Sequence, residues 1–185
     1  METFSLMCSR SDHLNDTPFD FSERHSIFIN APSDVILNCV RHYRLGDDTL
    51  FRPALYLRSL PARLMRRPLP ALDLDDFTLL LADHQRLVYG LKGAFWETDY
   101  GLLRFNTPTE FLGDRDASVA TLILSFRISS VTESRTYLVT RTDILCPTRR
   151  IRRLFLPYWL LIRPVSGLLR RRMLSQIKAR SEQSV

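Results

Sequence analysis

The stretch YWLLIRPVSGLLRRRMLSQIKAR, from Tyr158 to Arg180, decides how the rest of the chain is interpreted. Its first half is nearly as apolar as a membrane helix, and its second half is crowded with arginine. A membrane span needs about 20 consecutive apolar residues, but Arg163 and Pro164 interrupt the run that begins at Leu154. Three alternatives remain: a helix lying in a membrane interface, an arginine-rich arm for nucleic acid, and the closing helix of a globular domain.

Helical periodicity favours the closing helix. Thr148 follows Pro147 and is predicted to cap this helix, while Pro164 is expected to kink or restart it. Arginines 170–172 and Lys178 lie mostly off the apolar stripe. A stripe this long needs a covering partner, so we predict a C-terminal helix packed on a sheet. The stripe consists of Ile151, Leu154, Phe155, Tyr158, Trp159, Ile162, Val165, Leu168, Leu169, Met173 and Ile177.

The segment upstream supplies that sheet. ASVATLILSFRISSV (117–131) and SRTYLVTRTDILC (134–146) alternate apolar and polar residues, as antiparallel strands with one wet face do. DDFTLLLADHQRLVYGLKGAFW (75–96) predicts two strands joined by a hairpin at ADHQ. The predicted inward residues of the two longer strands are Ala120, Leu122, Leu124, Phe126 and Ile128, then Leu138, Thr140, Thr142 and Ile144.

The remaining segments predict smaller elements. ERHSIFINA (23–31) indicates a strand with His25, Ile27 and Ile29 on one face, followed by a helix that Ser33 caps. The prolines in 46–72 predict short helices and turns. GLLRFNTPTEF (101–111) is predicted to be a further strand, with a turn at Asn106–Pro108.

Length and charge indicate one domain. The chain has 185 residues, a net charge of +6 and a pI near 9.6, a balance that favours acidic partners. We predict a flexible tail over 1–20 and a single domain over 21–182. The three cysteines have no CxxC spacing, which argues against disulfides or a zinc site. No secretory signal is apparent at the N-terminus, so we expect a cytoplasmic protein.

Several segments resemble a known superfamily. They are INAPSDVI (29–36), LKGAFW (91–96), TPTEF (107–111) and the long run TRTDILCPTRRIRRLFLPYWLLIRPVSGLLRRRML (140–174). Over residues 21–180 the chain resembles the START-like or SRPBCC superfamily, which includes birch-pollen-allergen-like proteins, polyketide cyclases and lipid-transfer domains, and within it a bacterial subgroup. The resemblance implies an α+β helix-grip fold, in which a curved antiparallel sheet wraps a long C-terminal helix. Arg141 and Asp143 exchange the charges that the subgroup has around Thr142.

No catalytic constellation stands out. GxGxxG, GxSxG and HExxH are absent, so no cofactor and no metal is predicted. His25 shares a strand face with Ile27, and Arg127 and Asp143 are the other polar groups that a pocket enzyme could use. The ordinary interpretation of each is a packed or solvated side chain.

The helix-grip arrangement predicts an internal pocket. We predict that it binds or carries a hydrophobic or amphipathic small molecule; the alternative is a polyketide-cyclase-like enzyme acting on an aromatic or polyketide substrate. Contact with an anionic membrane through the basic helix stays open, whereas no nucleic acid is expected, because no reading motif accompanies the arginines. The predicted lining residues are Tyr89, Leu124, Phe126, Leu138, Thr140, Thr142, Phe155, Tyr158, Trp159 and Ile162.

Overall fold

A computed structural model describes residues 19–43, 74–97, 99–132 and 135–184 of the chain, apart from the side chain of Ser130. Residues 1–18 of the tail predicted over 1–20 lie outside the described residues, as does the proline-rich stretch 46–72. The described elements are strand β1 (Phe21–Ile29), helix α1 (Ser33–Arg41), a 3₁₀ turn (Leu74–Asp76), strands β2 (Thr78–Ala82) and β3 (Arg86–Gly93), helix α2 (Pro108–Gly113), strands β4 (Ala120–Thr132) and β5 (Arg135–Leu145), and helix α3 (Arg149–Gln183).

The five described strands form one antiparallel sheet in the order β1-β5-β4-β3-β2. The first described strand therefore pairs with the last described one, and β5 lies between β1 and β4. His25 is opposite Thr140 on β5, and Thr140 is opposite Phe126 on β4. Together with α3, this curved sheet makes an α+β helix-grip fold, as predicted.

Period-two alternation places the predicted residues on one face of the sheet, as expected for strands covered on one side. Phe126, Leu138 and Thr140 are buried beneath α3, whereas Arg127 and Ser129 are exposed. On β1, Glu23 and His25 are largely enclosed while their neighbours Ser22 and Arg24 are exposed. The polar pair on β1 thus shares the helix-covered face of the sheet with apolar side chains.

Helix α3 runs without interruption from Arg149 to Gln183, so Pro164 does not restart it. Thr148 caps it as predicted, because its hydroxyl oxygen accepts a hydrogen bond from the Ile151 amide at 3.2 Å. Helix α1 begins at Ser33 rather than after it. The predicted Ser33 cap is therefore wrong, and the backbone carbonyl of Pro32 accepts the bond from the Ile36 amide instead.

The predicted strand over 101–111 is also wrong. Only one isolated bridge, between Lys92 and Leu103, links this segment to the sheet, and α2 follows at Pro108. Thr107 accepts a hydrogen bond from the Glu110 amide at 3.2 Å, and the Glu110 carboxylate accepts one from the Asn106 amide at 3.0 Å. The helix-start chemistry of TPTE therefore outweighs the short alternation before it. None of the described helices combines the length and apolar character needed to cross a bilayer.

Candidate functional site

A cavity of about 150 Å³ lies between α3 and the covered face of β3, β4 and β5. Its walls are mostly apolar, with a few polar groups gathered on one side. An apolar cavity of this size can hold a single aromatic ring, and apolar walls with few polar groups are typical of small-molecule sites. The lining residues are Leu74, Phe77, Leu91, Phe95, Leu122, Leu124, Thr142, Ile144, Phe155, Tyr158, Trp159, Ile162, Ser166, Leu169, Arg170 and Met173.

Six of the ten residues predicted to line a pocket border this cavity. They are Leu124, Thr142, Phe155, Tyr158, Trp159 and Ile162. Tyr89, Phe126 and Leu138 instead pack into a solid cluster with α1 and the C-terminal part of α3, and their placement in the cavity wall is corrected accordingly. Thr140 is also buried outside the wall, but it contacts Arg170, which does line the cavity.

Aromatic side chains build the apolar end of the cavity. Phe155 is 1% exposed, and its ring centre lies 5.2 Å from that of Phe21 and 6.1 Å from that of Trp159. Phe95 and Trp96 approach the same ring edge-on, an arrangement that aromatic pairs favour. This end therefore offers aromatic surface to an apolar ligand.

Arg170 forms the polar end. Its Nη1 donates to the hydroxyl oxygen of Thr140 at 3.3 Å, and Thr142 and Ser166 lie on the same cavity wall. Burial lowers the pKa of Arg170 to about 10, and the charge of Glu23 acts in the opposite direction. At neutral pH the guanidinium is therefore charged, and the protein surroundings disfavour that charge.

A carboxylate–imidazole pair lies beside this end. His25 Nε2 is 2.8 Å from Glu23 Oε1, and the two side chains are only 15% and 11% exposed. Gly167 makes room for them, because a Cβ added there would lie 2.9 Å from Glu23 Oε1. The other carboxylate oxygen, Oε2, is buried without a hydrogen-bond partner among the described residues.

The other two acid–base candidates lie on the opposite face of the sheet. Asp143 accepts hydrogen bonds from Arg141 Nε and Ser22 Oγ, each at 2.7 Å, and Arg127 is exposed. That face carries an open groove of about 360 Å³. Lys92 at its edge is paired with Asp114 at 2.9 Å. Asp143 and Lys92 are therefore each matched by a protein partner of opposite charge.

Sequence reasoning missed Glu23 and Arg170. Both had a signal: Glu23 is two residues before His25 on the same strand, and Arg170 continues the spacing from Ser166 to Met173 and Ile177 along the buried helix face. No group of three or more potential ligands close enough to hold a metal ion occurs among the described residues.

Comparisons with known proteins add little to this geometry. No family model matches the chain, and no curated protein matches it. Among solved structures, the chain is similar to the Zhui aromatase/cyclase from Streptomyces sp. R1128, with 10% sequence identity and a TM-score of 0.30. The likeness covers 86% of this chain and 94% of that one. The fold assignment therefore rests on the strand order and the placement of α3 described above.

Proposed function

We propose that this protein binds or carries a small, mostly apolar molecule that bears a carbonyl or carboxylate oxygen. The observation that carries the proposal is the half-buried, charged Arg170 in the wall of a mostly apolar cavity. The cavity volume of about 150 Å³ favours a ligand built around one ring.

The hydrogen bonds of Arg170 support an oxygen-bearing ligand. An arginine side chain carries five N–H donors, and Thr140 is the one partner these donors have among the described residues. No carboxylate in that part of the chain forms a salt bridge with Arg170; Glu23 acts on it only through its charge. The guanidinium is half-buried and charged, and a charge-assisted hydrogen bond is stronger than a neutral one, so a ligand oxygen placed against it would be favoured.

Three single-ring probes test this chemistry. Acetophenone offers a carbonyl, benzoate offers a carboxylate, and ethylbenzene offers neither group at a similar size. We expect calorimetric titration to show acetophenone and benzoate binding more tightly than ethylbenzene. Loss of a charge-assisted hydrogen bond is worth about 2 kcal/mol, or roughly thirtyfold in affinity.

Arg170→Met removes the guanidinium while retaining an unbranched side chain. It should abolish the preference for oxygen-bearing probes and leave the affinity for ethylbenzene in place. Arg171→Met is the matched control, because the neighbouring arginine is exposed. Failure of all three probes to bind the wild-type protein would count against the cavity as a small-molecule site.

A polyketide-cyclase-like enzyme is the second candidate, and the Glu23–His25 pair favours it. A carboxylate 2.8 Å from an imidazole nitrogen orients the ring, as the third group of a catalytic triad does. Arg170 would stabilise negative charge developing on a substrate carbonyl. Such an enzyme needs an acidic C–H next to that carbonyl.

The β-diketone 1-phenyl-1,3-butanedione provides such a C–H bond. If His25 acts as a base, the wild-type protein should accelerate exchange of its methylene protons into deuterated water, and His25→Asn should remove that acceleration without abolishing binding. If the diketone binds but exchange of its methylene protons is not accelerated, the result would contradict the enzyme and favour the carrier function.

A further inference from the structure

The outward face of α3 carries a row of exposed residues that the cavity does not use. We name this row the outer ridge. Apart from the adjacent pair Leu160 and Leu161, successive members are three or four residues apart, and an α-helix has 3.6 residues per turn, so they follow one side of the helix. The outer ridge comprises Arg153, Pro157, Leu160, Leu161, Pro164, Leu168 and Arg171.

The outer ridge is apolar in its centre and basic at its ends. Leu160, Leu161 and Leu168 are 61%, 59% and 65% exposed. Leu154 and Leu156 beside them are 41% and 43% exposed. A single exposed leucine needs no explanation, but a contiguous apolar patch on an otherwise polar surface marks an interaction site.

The charge of α3 is one-sided. From 149 to 181 the sequence contains no Asp or Glu, and the first acidic residue is Glu182. The basic residues of this helix are Arg149, Arg150, Arg152, Arg153, Arg163, Arg170, Arg171, Arg172, Lys178 and Arg180. The whole chain has a net charge of only +6, so α3 concentrates positive charge that the rest of the protein offsets.

Helix stability does not account for this arrangement. The N-terminal end of a helix carries a partial positive charge and favours acidic residues, yet the first turn of α3 has none and contains Arg149, Arg150 and Arg152. Arg152 is 3.3 Å from Asp20. Within the described parts of the chain, no carboxylate pairs with the side chains of Arg149, Arg150 or Arg153. These cations are therefore positioned for an external anion.

We propose that the outer ridge docks the protein onto an anionic lipid surface, with α3 lying in the plane of the membrane interface. Helices that lie in an interface insert aliphatic side chains and place Arg or Lys among the headgroups. The exposed leucines match the acyl boundary, and the flanking arginines match lipid phosphates. This docking is independent of what the internal cavity binds.

Two other partners fit the ridge less well. A nucleic acid would match the arginines but leave the exposed leucines in water. A second copy of the chain related by a two-fold axis would cover the leucines, but it would bring the basic ends of two ridges together, and like charges facing each other oppose association.

Sedimentation with vesicles tests the proposal on the full chain. Vesicles of phosphatidylcholine are compared with vesicles containing about 30% phosphatidylglycerol, in about 0.1 M salt, where the Debye length is about 10 Å. We expect binding to the anionic vesicles, weak binding to the neutral ones, and substantial loss of binding in about 1 M salt, where the Debye length falls to about 3 Å.

Two double variants separate the apolar and the charged contributions. Leu160→Gln with Leu161→Gln should lower the partition coefficient by roughly tenfold or more. Arg153→Gln with Arg171→Gln, at the two ends of the outer ridge, should lower it by a similar factor on anionic vesicles at low salt. Leu79→Gln and Arg24→Gln are matched controls, because both residues are exposed elsewhere, on β2 and β1. All variants should keep the wild-type melting temperature, because the changed side chains are exposed.

Four outcomes would overturn the proposal. The first is absence of vesicle binding, and the second is equal, salt-insensitive binding to neutral and anionic vesicles. The third is preferential binding of single-stranded RNA that anionic vesicles do not compete away. The fourth is a wild-type dimer that Leu160→Gln with Leu161→Gln converts to monomer, because the leucines would then be an interface between copies.

Discussion

The inward face of α3 buries Phe155 and Trp159 and half-buries Arg170, whereas its outward face exposes Leu160 and Leu161. The inward face thus includes a charged side chain that would suit solvent. The outward face includes apolar side chains that would suit a protein interior. A helix that only closed a domain would keep its arginines outside and its leucines inside. The two proposed sites, the cavity and the outer ridge, are built on these two exceptions.

Arg170 and the outer ridge differ in the kind of partner that would suit them. Arg170 is half-buried in the cavity wall and suits a small hydrogen-bond acceptor that can enter the cavity. The outer ridge is open and needs an extended surface that combines apolar depth with negative charge. One helix can therefore serve two kinds of partner without the two sites overlapping.

The two faces of α3 should differ most in how much their side chains stabilise the fold by packing. Phe155→Ala removes a ring that contacts five other aromatic side chains, and we expect it to lower the free energy of unfolding by about 3–5 kcal/mol. Leu156→Ala, one position along on the exposed side, should change it by less than about 1 kcal/mol. Urea denaturation of both variants measures the difference. Similar losses would mean that the outward face is covered in the folded protein.

An intermediate effect should come from the buried charges. Glu23→Gln removes the carboxylate that offsets the charge of Arg170, so it should destabilise the wild-type protein more than it destabilises Arg170→Met. We expect a coupling free energy of about 1–3 kcal/mol from the double-mutant cycle. The same cycle with Arg171→Met should give no coupling. Additive effects in both cycles would show that Glu23 stabilises only His25.

Much of this architecture was predictable from local patterns. Period-two alternation in 117–131 and 134–146 fixed which strand residues face α3, because a covered antiparallel sheet has one wet face. Thr148 indicated the start of α3, because threonine is a favoured N-cap residue. The missed helix α2 was also local, since Thr107, Pro108 and Glu110 form a helix-start signal that the alternation before it obscured.

The division between cavity and solid core was not predictable from local patterns. Tyr89, Phe126 and Leu138 point the same way as Leu124 and Thr142, yet α1 and the end of α3 fill the space above the first three. Whether that space is filled depends on contacts between residues that are far apart in the sequence. Arg170 was missed for a related reason: three consecutive arginines suggest a solvated patch, and only the exact phase of the helix places the first of them inward.

The smallest effect should be a pH dependence that belongs to the inward arginine alone. The pKa of Arg170 is lowered from 12.5 to about 10 because burial disfavours its charge. Between these values the unfolded chain binds more protons than the folded one, so the free energy of unfolding rises with pH. Compared with Arg170→Met, the wild-type protein should gain about 1 kcal/mol between about pH 9 and pH 11, because the slope cannot exceed about 1.4 kcal/mol per unit. Urea denaturation at both pH values measures this gain, and groups that titrate in both proteins cancel. Arg171→Met, on the exposed side, should follow the wild-type protein throughout; a matching slope difference for that variant would mean that burial does not distinguish the two faces of α3.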